Sequence, residues 1–232
     1  MDHCFNRNYM HIKIIIAAFT LLFCSLNVFG QNYESLEKEA ERILISLSEG
    51  DSINSSALTE LKNLLSSEIN IELSELIPDL NSHSIDSLKN HLNEFESESQ
   101  NISTDSAFVL FNDWYLHLQN IFYEYSKQKF FSSPKQKILF FSTSMSCYCT
   151  LKMSREQTVE FLKFIVENSG KYDYWIIDSF WYNELQIEHL TLFAPSVIVF
   201  NGNNEVLYKI EYEEKMLEML LAYLNGKDES KG

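Results

Sequence analysis

Ile138-Leu139-Phe140-Phe141-Ser142-Thr143-Ser144-Met145-Ser146-Cys147-Tyr148-Cys149 joins a short apolar run to two cysteines one residue apart. Four consecutive large apolar residues, rich in strand formers, are the pattern of a strand buried on both faces. Ser132-Ser133-Pro134 stands ahead of it and stops any helix arriving from upstream, because a proline steers its predecessor out of the helical region. Downstream, Val159, Phe161, Leu162, Ile165 and Val166 place a helix over Ser154–Asn168. Ser154 and Gln157 offer it a capping box, and Gly170 closes it. Tyr174-Trp175-Ile176-Ile177 reads as a second strand, Tyr182–Leu190 as a short helix and Val197-Ile198-Val199-Phe200 as a third strand. Asn201-Gly202-Asn203-Asn204 is a hairpin turn, Val206–Ile210 returns as a fourth strand, and Met216–Leu224 makes the last helix. Strands are therefore expected near 137–143, 173–178, 196–201 and 205–211. The first two are joined through a helix and should run parallel with a right-handed crossover, while the last two form an antiparallel hairpin. Helices on both faces make this a three-layer α/β sandwich.

The order resembles the core of the thioredoxin fold over residues 135–226, and three local features carry the resemblance. The cysteines follow the first core strand directly, where that family keeps its redox pair. Ala194-Pro195 precedes the third strand, where the family carries a cis-proline facing the cysteines. Phe200-Asn201-Gly202-Asn203-Asn204-Glu205-Val206 is similar to its terminal hairpin. The departures are equally local. The family's motif is Cys-x-x-Cys, whereas this segment is Ser146-Cys147-Tyr148-Cys149. An ungapped register puts Ser146 in place of the attacking thiol, and a shifted one makes Cys147 the attacker. Met145 stands near the usual tryptophan, Phe140 or Phe141 replaces the acid that many members bury on this strand, and no glycine follows the hairpin on the last strand.

Spacing governs what two such thiols can do together. Residues two apart lie about 200° around a helix axis, so a Cys-x-Cys pair bonds poorly inside a regular helix. In the turn before a helix it can close a small, strained ring, and strained disulfides are the more oxidising ones. A helix N-terminus would also favour the reactive thiolate. With a helix beginning only at Ser154, the pair would sit in a loop and lose most of that field.

Residues 31–131 read as a helical region. Tyr33, Leu36, Ala40, Ile43, Leu44 and Leu47 keep helical spacing up to Gly50. Ala57–Leu65 follows with Ser55 or Ser56 as cap, then a fragment at Ile71–Ile77 and a helix over Ser84–Phe95. The Ser-rich stretch Glu94–Ser106 reads as a loop. Phe108, Phe111, Tyr115, Leu118, Phe122 and Tyr125 mark a long amphipathic helix capped by Thr104 or Asp105. That helix, at about 105–130, is expected to stand in for the first strand and helix of a full thioredoxin. Asp113 and His117 lie four apart on it, as a solvated pair rather than a metal site.

Residues 1–30 have the layout of a cleaved export signal. Arg7 and Lys13 precede an apolar run from Ile14 to Phe23 that is short for a membrane span, and Val28-Phe29-Gly30 resembles a cleavage site. Cleavage there would leave Gln31 first and remove Cys4 and Cys24, leaving Cys147 and Cys149 alone in an oxidising compartment, periplasmic or extracellular. Membrane attachment would come only through an uncleaved signal. With 18 Lys+Arg against 33 Asp+Glu, a net charge of -15 disfavours nucleic acid and anionic lipid as partners. Two cysteines this close cannot staple a fold, so a local redox role is the natural one. The resemblance implies an exported thiol–disulfide oxidoreductase acting on protein thiols or disulfides. Cys147 and Cys149 would be catalytic, with Ala194, Pro195 and Tyr148 contacting substrate, and neither metal nor cofactor is called for. The alternative is a thioredoxin-fold scaffold that binds a partner without chemistry. His189, the one histidine after residue 134, is expected to be an exposed helix residue.

Overall fold

The computed structural model describes residues 33–65 and 82–228. The expected export signal and the expected fragment at Ile71–Ile77 lie outside these residues. The helical region begins with α1, residues 33–48, whose Tyr33, Leu36, Ala40, Ile43, Leu44 and Leu47 are all buried. Gly50 follows at φ 85°, a left-handed conformation that ends the helix without a Cβ clash. The next helix, α2 (Ser55–Leu64), is capped one residue earlier than expected, by Asn54, whose Oδ1 accepts the Ser56 amide at 2.9 Å. Helix α3 (Ser82–Ser99) runs through residues expected to form a loop. Phe95 is buried there and Glu96 pairs with Lys62 at 2.5 Å, so packing carries the helix past its polar composition.

The long amphipathic helix is two. Helix α4 (Thr104–Ile121), capped by Ser103, stops at Phe122, and α5 (Tyr123–Ser132) continues from it. The break moves the chain between two cores. Phe111, Tyr115 and Leu118 belong to the larger core, whereas Tyr123 and Phe130 pack with Leu139, Phe141, Trp175, Ile177, Ile198 and Phe200.

The sheet has β1 (Lys137–Ser142), β2 (Asp173–Asp178), β3 (Ser196–Phe200) and β4 (Val206–Glu211) in the order β2-β1-β3-β4. Strand β1 runs parallel to β2, with Phe140 opposite Ile176, and antiparallel to β3, with Phe140 opposite Val197. Strands β3 and β4 form the expected hairpin. Successive side chains of a strand point to opposite faces. Ile138 and Phe140 therefore meet the larger core, with α6 (Tyr148–Glu167) and α8 (Met216–Asp228), while Leu139 and Phe141 meet α5 and the short α7 (Glu184–Glu188). This is an α/β thioredoxin-like three-layer sandwich preceded by helices. Both α4 and α5 pack against β2, an edge strand of the sheet.

Two expectations fail at helix ends. The helix expected from Ser154 starts at Tyr148, and Ser154 lies fully buried within it. Its hydroxyl is bonded to Ser142 Oγ at 2.9 Å and accepts the Thr143 amide at 3.1 Å, so Ser154 ties α6 to the end of β1 instead of capping a helix. The helix expected over Tyr182–Leu190 shrinks to α7 because Leu190 adopts φ 54°.

One buried acid joins the helical region to the sheet. Glu41 of α1 is buried and accepts hydrogen bonds from Tyr174 of β2 at 2.6 Å and Tyr115 of α4 at 3.3 Å. Loss of water, followed by repulsion from Glu37 one turn earlier, pushes its carboxyl from 4.5 up to about 8. Because the folded value is raised, the native state holds a proton that the unfolded chain releases. The associated stability is complete below about pH 4.5 and is lost progressively up to about pH 8. Glu41→Gln keeps the acceptor and cannot ionise. It should exceed the parent in stability near pH 8 by about 2 kcal/mol, a figure reduced for relaxation around a buried charge, and match it near pH 4.5. Urea unfolding midpoints at the two pH values check this.

Candidate functional site

The site forms where β1 hands over to α6. Asp178, fully buried at the end of β2, holds the connecting loop by accepting the Ser144 amide at 3.0 Å and the Phe180 amide at 3.1 Å. Asn120 of α4 donates to its other oxygen at 3.3 Å. Thr143 Oγ1 donates to the Met145 carbonyl at 3.0 Å and tightens the turn. Cys147 then takes the N-cap position of α6 with extended backbone, φ -65° and ψ 156°. Cys149 is the second helical residue, and both thiols are exposed.

This resolves the spacing problem. Cys147 stands outside the helix, so its side chain swings back over the first turn and its Sγ lies 2.9 Å from Cys149 Sγ. Thr150 Oγ1 is 3.2 Å from the same Cys147 sulfur, and the Tyr212 hydroxyl is 2.9 Å from Thr150 Oγ1. The Cys149 thiol, the Thr150 hydroxyl and the first-turn amides of Thr150 and Cys149 together bring Cys147 down from 9.0 to about 7. The sulfur makes no well-aligned capping hydrogen bond, so the side-chain donors lead and the amides add to them. Ser146, the alternative to an attacking thiol, lies one residue earlier and exposed in the loop.

Ala194 and Pro195 are joined by a cis peptide bond, as the resemblance implies. Ala194 lines an open hollow of about 660 Å³ together with Thr143, Ser146, Thr150, Phe193 and Tyr212. Pro195 enters through its carbonyl, which accepts the Tyr212 amide at 2.9 Å. Tyr148 is exposed on the other side of the cysteines, in a second hollow with Cys149, Lys152 and Glu156. The structure thus brings Cys147, Cys149 and, through Tyr212, the Ala194-Pro195 turn together, and Tyr148 lines the second hollow, which Tyr212 also borders.

Sequence reasoning missed Thr150, Tyr212 and Asp178. Thr150 carried a signal, since the third helical residue is the one an N-cap side chain meets. Tyr212 stands just past the last strand, and its φ is 52°. Also missed was an apolar rim beside the first hollow, where Met145, Phe180, Ile187, Leu192 and Phe193 are all exposed. His189 ends α7 half-buried, its ring edge-on to Phe200 at 5.2 Å, rather than exposed. Asp113 pairs with Arg155 at 3.1 Å, while His117 lies 3.5 Å from Ser87 and beside His91 on α3.

No protein-family model and no curated protein matches the chain. Among solved structures it is similar to the germline-specific thioredoxin Deadhead of Drosophila melanogaster, at 21% identity over 45% of this chain and 92% of that one, TM-score 0.34. Thioredoxin of Malassezia sympodialis gives 12% identity over 42% and 81%, TM-score 0.34. A designed protein gives 16% over 44% and 84%, TM-score 0.34. The thioredoxin-like assignment rests on strand order, crossover and hairpin rather than on these scores.

With Cys147 at about 7, limiting iodoacetamide at neutral pH should label Cys147 before Cys149 in the reduced protein. Its labelling rate should fall about tenfold per pH unit below that value, as thiolate is lost. Peptide mass mapping over a pH series checks the order and the slope.

Proposed function

We propose that the chain is an exported thiol–disulfide oxidoreductase in which Cys147 attacks and Cys149 resolves. The observation that carries this is the contact of two exposed sulfurs, 2.9 Å apart, at the start of α6, with Thr150 on the attacking one. In the reducing direction, the Cys147 thiolate attacks one sulfur of a substrate disulfide. A Cys147–substrate disulfide forms, and the other substrate sulfur leaves as a thiolate that takes a proton from water. Cys149, deprotonated to solvent, then attacks Cys147 Sγ and expels the second substrate sulfur as a thiolate. Two electrons pass to the substrate, and the protein is left with a Cys147–Cys149 disulfide. The oxidising direction is the same sequence reversed. No cofactor is required, since the thiols carry the electrons.

The hollow beside Ala194 and its apolar rim suit an extended polypeptide, so protein thiols or disulfides are the proposed substrates. Tyr148, in the second hollow, would contact the substrate chain on the far side of the cysteines. Export through residues 1–30 belongs to the same proposal and would supply the oxidising surroundings in which such a pair works. One observation favours the scaffold alternative. Phe140 and Phe141 fill β1 beneath the cysteines, so that strand offers no buried acid to take the resolving thiol's proton. Cys149 is exposed, so its proton can pass directly to solvent.

Cys149→Ser removes the resolving step. Expressed in its native compartment, this variant should accumulate mixed disulfides through Cys147, seen on non-reducing gels and collapsed by dithiothreitol. Cys147→Ser should accumulate none. Absence of any adduct with Cys149→Ser would favour the scaffold.

A further inference from the structure

Tyr212 occupies a costly backbone position. Its φ of 52° lies in the left-handed region, which a bulky aromatic residue enters only when its surroundings hold it there. They do so here. Its amide donates to the Pro195 carbonyl at 2.9 Å, and the preceding residue, Glu211, accepts the amides of Leu192 and Phe193. The strained turn points the Tyr212 side chain back across the site. Its hydroxyl reaches Thr150 Oγ1 at 2.9 Å, and Thr150 Oγ1 in turn lies 3.2 Å from Cys147 Sγ.

Proton counting fixes the direction of this chain of contacts. A thiolate can only accept hydrogen bonds. Once Cys147 is ionised, the single hydroxyl proton of Thr150 must point to the sulfur, and the Thr150 oxygen is left to accept from Tyr212. The order is then Tyr212 to Thr150 to Cys147, each bond polarising the next. The groups facing the sulfur are Cys149 and Thr150 of α6, with Tyr212 behind Thr150 from the end of β4.

We propose that Tyr212 is a positioning residue for Cys147, holding the thiolate through Thr150 and tying it to the Ala194-Pro195 turn. This rests on the oxidoreductase reading and adds a residue to the same site. Tyr212 lines both hollows beside the cysteines, so a polypeptide seated in either one meets the outer end of the relay.

The test is the pH midpoint of iodoacetamide labelling at Cys147, mapped by peptide mass in the full reduced chain. Tyr212→Phe keeps the ring and removes only the hydroxyl, and should raise the midpoint by about half a unit. Thr150→Val should raise it at least as much, and Thr150→Ser should leave it near the parent value. Tyr212→Phe placed on Thr150→Val should add nothing, because the relay is already cut. Tyr212→Gly relieves the left-handed backbone and should shift the midpoint as Phe does, which covers a Phe variant that folds poorly. An unchanged midpoint in both Tyr212 variants, or shifts that add in the double variant, would overturn the relay. These readouts need no turnover. A shifted midpoint with no mixed disulfide in Cys149→Ser would keep the relay and sink the oxidoreductase. Mixed disulfides with an unmoved midpoint would do the reverse.

Discussion

The buried hydroxyl of Ser154 is the contact on which the site depends. Bonded to Ser142 Oγ and accepting the Thr143 amide, it fastens the second turn of α6 to the end of β1. Thr158 adds a third hydroxyl, 3.1 Å from Ser142 Oγ. With that turn pinned, the chain between Ser142 and Tyr148 has room for a tight loop and nothing more, so the helix must start beside the strand end. That start makes Cys147 the N-cap and Cys149 the second helical residue. Had α6 begun at Ser154, the cysteines would have sat in a loop, without the first-turn amides and without Thr150. The place of Cys147 at the start of α6 is thus set by a hydroxyl cluster that touches neither sulfur.

A second constraint comes from the edge at β2. The order β2-β1-β3-β4 leaves β2 at an edge, and exposed edges invite pairing with other chains. Here α4 and α5 pack against it, and Glu41 reaches from α1 to Tyr174. The helical region also serves the site, because Asn120 of α4 donates to Asp178, which holds the loop before the cysteines. Cost and benefit sit together in this arrangement. A carboxyl held protonated by burial weakens as pH rises, yet it fixes the helices against an edge strand of the sheet.

The strands were legible because β1, β2 and β3 are buried on both faces and so spell unbroken apolar runs. Ile138–Phe141, Tyr174–Ile177 and Val197–Phe200 fall inside the observed strands. Helix ends were less legible, since tertiary contacts overrode local signals. Ser154 and Gln157 spell a capping box, but Ser154 faces the sheet and Gln157 Nε2 donates to the Glu213 carbonyl at 2.7 Å. Phe108 to Tyr125 keeps one helical period, yet the chain breaks at Phe122 to serve two cores. Within the site, the cysteines and the Ala194-Pro195 turn were readable from local order. Thr150 was hidden by the misplaced helix start, and Tyr212 by a link that joins residues 62 apart through two hydroxyls. Tyr148 stands between the cysteines and lines the second hollow with Cys149 and Lys152.

The most direct measurement is a redox titration of the full chain against glutathione and dithiothreitol buffers, counting free thiols at Cys147 and Cys149. A working pair should lose both thiols together in one reversible two-electron transition without forming dimers. Because a Cys-x-Cys bridge closes so small a ring, the midpoint should lie above the value of about −270 mV typical of thioredoxin. Two thiols that stay free across the range, or that oxidise only between molecules, would contradict the oxidoreductase and leave a thioredoxin-like scaffold.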